Sequence, residues 1–277
     1  MTFDLLTIFG LLSSTVIGIS LGLIGGGGSI LTVPVLVYLF KVDPVLATAY
    51  SLFIVGLSSL VGAFPKYKAG MIDLKTAVVF GIPSIIAVFL TRKVLVPAIP
   101  ATLFEVGGIS VTKALAMMIL FAVLMVAASV SMIRDKKKEE TLSSEPRVFN
   151  YPMILFEGAV VGVLTGLVGA GGGFLIIPAL VMLSKLPMKQ AVGTSLLIIA
   201  AKSLIGFTGD VSENAANMDW LLLSIVTGLA IVGIFIGNQL SKKVDGAALK
   251  KGFGWFVLVM GIYIIIKELA FPGASAH

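Results

Sequence analysis

The chain contains no cysteine, which excludes a disulfide framework, a thiolate nucleophile and a cysteine-based metal site. Its single histidine is His277, the last residue. Histidine metal sites and histidine acid–base catalysis are thereby excluded too. Charge is scarce, at 12% of the 277 residues. What fills the chain instead is apolar: 58% of residues are hydrophobic and 31 are glycine. Mean hydropathy is +1.10 for a mass of 28.9 kDa. The apolar-plus-glycine share, about 69%, far exceeds the roughly 45–50% of a soluble domain. A water-soluble protein of this size has no way to hide so much apolar surface, because its exterior must be polar. The composition therefore predicts an integral membrane protein. The net charge of +6 does not point to nucleic acid, since the basic residues sit in short stretches between apolar runs, as membrane topology requires.

Apolar runs fall at about 3–24, 29–40, 45–64, 74–93, 111–133, 152–170, 174–184, 190–208, 220–241 and 249–270. Eight are near or above the ~18–20 residues that a helix needs to cross a bilayer. The runs 29–40 and 174–184 are too short, and each follows a glycine cluster, Gly25-Gly26-Gly27-Gly28 or Gly171-Gly172-Gly173. Phe3–Ile24 lacks a basic n-region and a small-x-small cleavage site, so it reads as a first span rather than a cleaved signal. Arg134–Arg147 holds nine charged residues and reads as a solvated linker. The expected organisation is an N-terminal transmembrane repeat at 1–133, a charged cytoplasmic linker at 134–151, a C-terminal repeat at 152–271 and a tail at 272–277.

The two halves repeat at an offset of 144. Gly22–Val37 (GLIGGGGSILTVPVLV) falls over Gly166–Val181 (GLVGAGGGFLIIPALV) with nine identities in 16 positions. Ser51-Leu52 meets Ser195-Leu196, and Gly62 meets Gly206, in the same register, so duplication is the stronger reading over chance. If all ten runs cross, the loops on one side carry fourteen Lys and Arg and those on the other carry five. If the two short runs do not cross, the tally is nine against ten. Basic residues concentrate on the cytoplasmic side, so ten crossings are favoured, and five per half inverts the second half. The loop 65–75 carries Lys66, Lys68 and Lys75, whereas its counterpart 209–219 carries Asp210, Glu213 and Asp219. The expected fold is an all-α polytopic transmembrane bundle of two inverted repeats, with eight full-length spans plus two short helices following Gly-rich breaks.

Irregular backbone at membrane depth is tolerated only where protein buries it or it lines a cavity. Glycine also lets a ligand approach main-chain N–H groups. Pro34 and Pro178 mark where the short helices are expected to begin, because proline is favoured at the first helical position. With Lys41 and Lys185 at the aqueous ends, both N-termini would point inward and build an anion site from backbone donors. The competing reading is tight packing through small residues, which suits Gly18, Gly22, Gly158 and Gly162. Lys202 lies inside the run 190–208. A lysine at that depth is costly unless it faces a cavity or partner, snorkelling being the alternative. Ser29, Ser51, Thr194 and Ser195 supply hydroxyls that donate to an oxyanion without adding charge. The candidate site is therefore Gly25, Gly26, Gly27, Gly28, Ser29, Ser51, Gly171, Gly172, Gly173, Thr194, Ser195 and Lys202. Asp73 and Asp219 are expected to open their spans as helix N-termini favour. Arg92 and Asn238-Gln239 are expected at the interface, and Glu157 is read either as an interfacial carboxylate or as a proton relay.

With these motifs and the ATAYSL and AVGTSL elements, the chain resembles the sulfite exporter TauE/SafE family over essentially its whole length. The resemblance implies a secondary transporter of the cytoplasmic membrane for sulfite, sulfoacetate, other organosulfonates or related sulfur oxyanions. An anion channel, or a transporter of another small organic anion, is the alternative; the sequence offers no ring of charges for a channel. An enzyme is not expected, for there is no visible catalytic machinery. Nor are a cofactor, a metal or a nucleic-acid partner. The expected partners are a small anionic substrate and the lipid bilayer, with a proton as the candidate coupling ion.

Overall fold

The computed structural model describes residues 5–106, 109–134, 151–182, 186–215, 218–241 and 246–270. The expected linker lies almost entirely outside the described residues, as do Lys185 and the tail. Each of the ten apolar runs contains a helix. In chain order these are α1 (Leu5–Ile24), a 3₁₀ turn (Gly26–Leu31) running into α2 (Thr32–Tyr38), α3 (Pro44–Lys68) and α4 (Leu74–Leu90). A π-helical turn (Thr91–Leu95) carries α4 on into α5 (Val96–Ala98). Then follow α6 (Lys113–Arg134), α7 (Tyr151–Val168), α8 (Gly173–Met182), α9 (Met188–Asn214), α10 (Trp220–Leu240) and α11 (Gly246–Ala270). Among the described residues six helices, Leu5–Ile24, Pro44–Lys68, Leu74–Ala98, Lys113–Arg134, Met188–Val211 and Trp220–Leu240, are long and apolar enough to cross a membrane.

Local chemistry sets the helix starts. Asp43 caps α3, its carboxylate accepting from the N–H groups of Val45 (2.9 Å) and Leu46 (3.1 Å), with Pro44 preset for the first turn. Asp73 and Asp219 cap α4 and α10 by accepting from Thr76 and Leu222, both at 2.9 Å, as their placement at span starts predicts. The outer faces are apolar: Leu5, Phe9, Leu12, Val78, Ile82, Ile86, Leu221, Val232, Phe235, Val259 and Ile266 are all exposed. Buried inside are Ser14, Ser29, Ser51, Ser58, Ser59, Thr165, Ser195, Arg92 and Lys202. These polar groups sit within a largely apolar core and away from the lipid-facing shell, as hydrocarbon solvent requires.

Four departures from the sequence reading matter. The chain is not purely helical, because β1 (Thr102–Val106) and β2 (Ile109–Thr112) form an antiparallel hairpin between α5 and α6. The helix begun by the run 190–208 continues to Asn214, so Asp210 belongs to α9 and not to a loop. The short helices begin at Gly26 and Gly173 and not at the prolines; Pro34 and Pro178 fall inside α2 and α8. Pro34 falls just after the 3₁₀ turn gives way to α2, at the third α-helical residue. Finally, Arg92 is buried, not interfacial.

The expected small-residue packing is present. Gly18 of α1 meets Ala230 of α10 and Gly22 meets Ile234, while Gly162 of α7 meets Ser84 of α4 and Gly166 meets Val88. Each pair of helices runs parallel. The residues of α1 and α7 correspond at the offset of 144, but Ser84 and Ala230, or Val88 and Ile234, are 146 apart. The second half thus holds two extra residues between α9 and α10. The helices α3 and α9 run antiparallel, with Gly56 on Leu204 and Gly62 on Leu196. So do α6 and α11, with Gly254 on Met132 and Gly261 on Met125.

Candidate functional site

Glycine runs leave the backbone free to take left-handed conformations, and both clusters use that freedom. Gly25 has φ +75°, and Gly169, Gly171 and Gly172 have φ between +62° and +71°. Each set reverses the chain at the end of a helix, α1 or α7, and starts a short one. The two breaks touch. A Cβ on Gly26 would overlap the Cα of Gly173, and one on Gly173 would overlap Gly26. The first residues of both short helical segments are therefore in main-chain contact at the centre of the bundle, an approach that only glycine permits.

Around this contact the halves exchange partners. Gly25 lies against Val192 of α9, and Gly169 against Thr48 of α3, positions 144 apart on both sides. The N–H of Asp219 donates to the Tyr50 hydroxyl. The N–H of Asp73 donates to Thr194 Oγ1 at 2.9 Å. Tyr50 and Thr194 are 144 apart. Thr194 thus anchors the turn before α4 rather than presenting its hydroxyl to the breaks.

Lys202 is wholly buried, at 0% exposure. Its Nζ donates to Thr165 Oγ1 at 2.8 Å, and a Cβ on Gly172 would stand 2.7 Å from it. The ammonium is therefore held at the left-handed turn of the second break. Among the described residues no carboxylate forms an ion pair with it. A buried lysine with no ion-paired carboxylate among the described residues is a candidate contact for a mobile anion.

The other expected residues divide. The Ser195 hydroxyl faces Gly25 and donates to Val192 O at 2.9 Å, and the Ser29 hydroxyl closes back onto Gly26 O at 2.7 Å. Ser51 Oγ is buried and has no partner among the described residues. Gly28 packs on Ser20 and Leu21 of α1, and Gly171 on Val55 and Ile199. Gly27 lies within the 3₁₀ turn.

Sequence reading missed a second polar cluster. Arg92, 1% exposed, donates from Nη1 to Thr48 Oγ1 at 2.9 Å and to Asp210 Oδ1 at 3.4 Å. The π-helical turn holding Arg92 places it against Gly209 of α9. Asn238, expected at the interface, instead buries both amide atoms, without a partner among the described residues. The available signal was one arginine near the end of an apolar run and one aspartate just past the end of another.

An apolar shell, two glycine-broken helix pairs in contact and a buried lysine with no ion-paired carboxylate among the described residues belong to a polytopic helical membrane protein. Comparison with known proteins agrees: the chain belongs to the sulfite exporter TauE/SafE family, whose model matches residues 10–264. It is 28% identical to a "Probable membrane transporter protein" of Xylella fastidiosa (strain Temecula1 / ATCC 700964), over 93% of this chain and 94% of that protein. It is 32% identical to "Probable membrane transporter protein YunE" of Bacillus subtilis (strain 168), over 96% of both chains. A third relative, "Probable membrane transporter protein MJ0441" of Methanocaldococcus jannaschii, is 34% identical over 41% of this chain and 44% of its own. No solved structure matches.

Proposed function

We propose that the protein is a secondary transporter of small sulfur oxyanions, sulfite, sulfoacetate or other organosulfonates, in the cytoplasmic membrane. The anion binds where the two glycine breaks meet, held by Lys202, main-chain N–H groups of the second break and the hydroxyl of Ser51, which has no partner among the described residues. The observation that carries this reading is Lys202, buried at 0% exposure against Gly172 with no ion-paired carboxylate among the described residues. Sulfite and sulfonates match that site because they bring the missing negative charge together with several acceptor oxygens.

Alternating access follows from inverted repeats at 1–133 and 152–271, joined by a cytoplasmic linker at 134–151. Two features support the inversion. Repeat-related helices α3 and α9, and α6 and α11, run antiparallel, while α1 pairs with α10 as α7 pairs with α4. Rocking one half on the other would open the central contact to either face in turn.

The decisive experiment is reconstitution into liposomes with labelled sulfite, sulfoacetate, taurine and sulfate. Saturable uptake of at least one sulfur oxyanion is expected. Currents beyond carrier turnover would establish a channel instead, and inactivity toward all four would overturn the proposal. Repeating uptake with an imposed pH gradient tests whether a proton is the coupled ion.

A further inference from the structure

Arg92 presents a geometry that its protein partners do not use up. Only Nη1 is engaged, by Thr48 at 2.9 Å and by Asp210 at 3.4 Å. Nε and Nη2 are buried with no hydrogen-bond partner among the described residues. These two atoms form the edge of the guanidinium from which parallel N–H groups grip two oxygens of one oxyanion. A buried donor left unpaired costs free energy, and here two are left on one group aligned for bidentate recognition.

The position fits a transport path. Thr48, which Arg92 holds, is packed on the left-handed Gly169 of the second break, and Thr91 beside it is packed on Gly166. Asp210 is eight residues beyond Lys202 on α9, about 12 Å along the helix. Arg92 therefore lies between the central contact and the end of the bundle where α3 begins and α4 and α9 end. Its counterpart in the second half, 146 residues on, is Asn238 of α10, whose amide atoms are also buried without a partner among the described residues. Equivalent places on either side of the breaks thus both carry unused hydrogen-bonding capacity.

We propose that Arg92 forms a second oxyanion subsite, its Nε/Nη2 edge receiving two oxygens of a sulfite or sulfonate ion that moves between the glycine breaks and that end of the bundle. The proposal rests on the transport reading above and adds a station to it. Asp210 balances the guanidinium charge in the absence of the anion and competes with the anion when it arrives. The single long contact between the two is consistent with a partner that gives way.

The test is labelled sulfite uptake by proteoliposomes, reading KM and maximal rate separately. Arg92→Gln is expected to raise KM about tenfold or more, the usual consequence of losing a charge-assisted pair of bonds. Arg92→Lys, which keeps the charge and loses the bidentate edge, is expected to remain impaired. Asp210→Asn is expected to lower KM or leave it unchanged, and the double variant R92Q/D210N to behave as R92Q. Were the pair only a structural tie, R92Q/D210N would recover the wild-type KM, or R92K would match wild type; either result overturns the subsite. Should R92Q fail to fold by size-exclusion chromatography, R92K decides alone. Normal KM in every Arg92 variant, together with loss of uptake in Lys202→Ala, overturns this subsite and leaves the central site standing. No transport by the wild type of sulfite, sulfoacetate, taurine or sulfate overturns both.

Discussion

Lys202 and the facing glycines place opposite demands on their positions. Lys202 is retained in an environment that disfavours it by at least ~2.5–3.5 kcal/mol on insertion scales. Removing it should leave the fold intact or more stable while weakening anion recognition. Lys202→Ala is accordingly expected to raise the sulfite KM by about tenfold or more, the scale of a charge-assisted bond, with no loss of thermal stability; an unchanged KM would remove Lys202 from the site. The glycine contact behaves in the reverse way. A Cβ at Gly173 would overlap Gly26 itself, where no side chain can rotate out of the way. Gly173→Ala should therefore lower Tm, with overpacking of this kind costing typically ~1–3 kcal/mol, and should slow uptake even where the protein still folds. Snorkelling, weighed for Lys202 on the sequence, is excluded by its 0% exposure and its bond to Thr165.

Between helices, the same residue type has different consequences according to what it faces. Gly18 of α1 stands against the carbonyl of Ala230, so a side chain there would force α1 and α10 apart. Gly228 of α10 has no atom of the described residues within 4 Å of its missing Cβ. Gly18→Ala is expected to destabilise the protein, whereas Gly228→Ala should be neutral or stabilising by about 0.5–1 kcal/mol through helix propensity. Thermal unfolding in detergent compares the two, and equal effects would contradict parallel packing of α1 on α10. The apolar runs located all ten helical segments, because hydrophobic length is a local property. Their ends were less legible. The continuation of α4 through a π turn and of α9 to Asn214 brings Arg92 and Asp210, residues 118 apart in sequence, together in the interior. Polar residues at the edge of an apolar run read as interfacial until their partners across the bundle are known.

For the whole molecule, the proposed inversion of the halves makes a direct prediction about sidedness. The chain has no cysteine, so single cysteines can be introduced without a prior knockout. Ala69 follows α3, Ala215 follows α9, and both are exposed. Ala69→Cys and Ala215→Cys should react with an impermeant maleimide from opposite faces, the first from the cytoplasmic side. Labelling of both from one side would refute inverted repeats. Composition and apolar run length by themselves determined that this is a multi-pass helical membrane protein, and the doubled glycine motif, at one fixed offset, is what points to related halves. Both are local or pairwise-repeated patterns and need no coordinates to read. Only the tertiary structure decided that the two breaks touch and that, among the described residues, Lys202 sits at one of them without an ion-paired carboxylate and Arg92 keeps its bidentate edge unspent. Each of these depends on which side chains from distant segments share one small volume, and in a bilayer that pairing is dictated by the shape and hydrogen-bonding needs of neighbouring helices, which no single run of residues encodes.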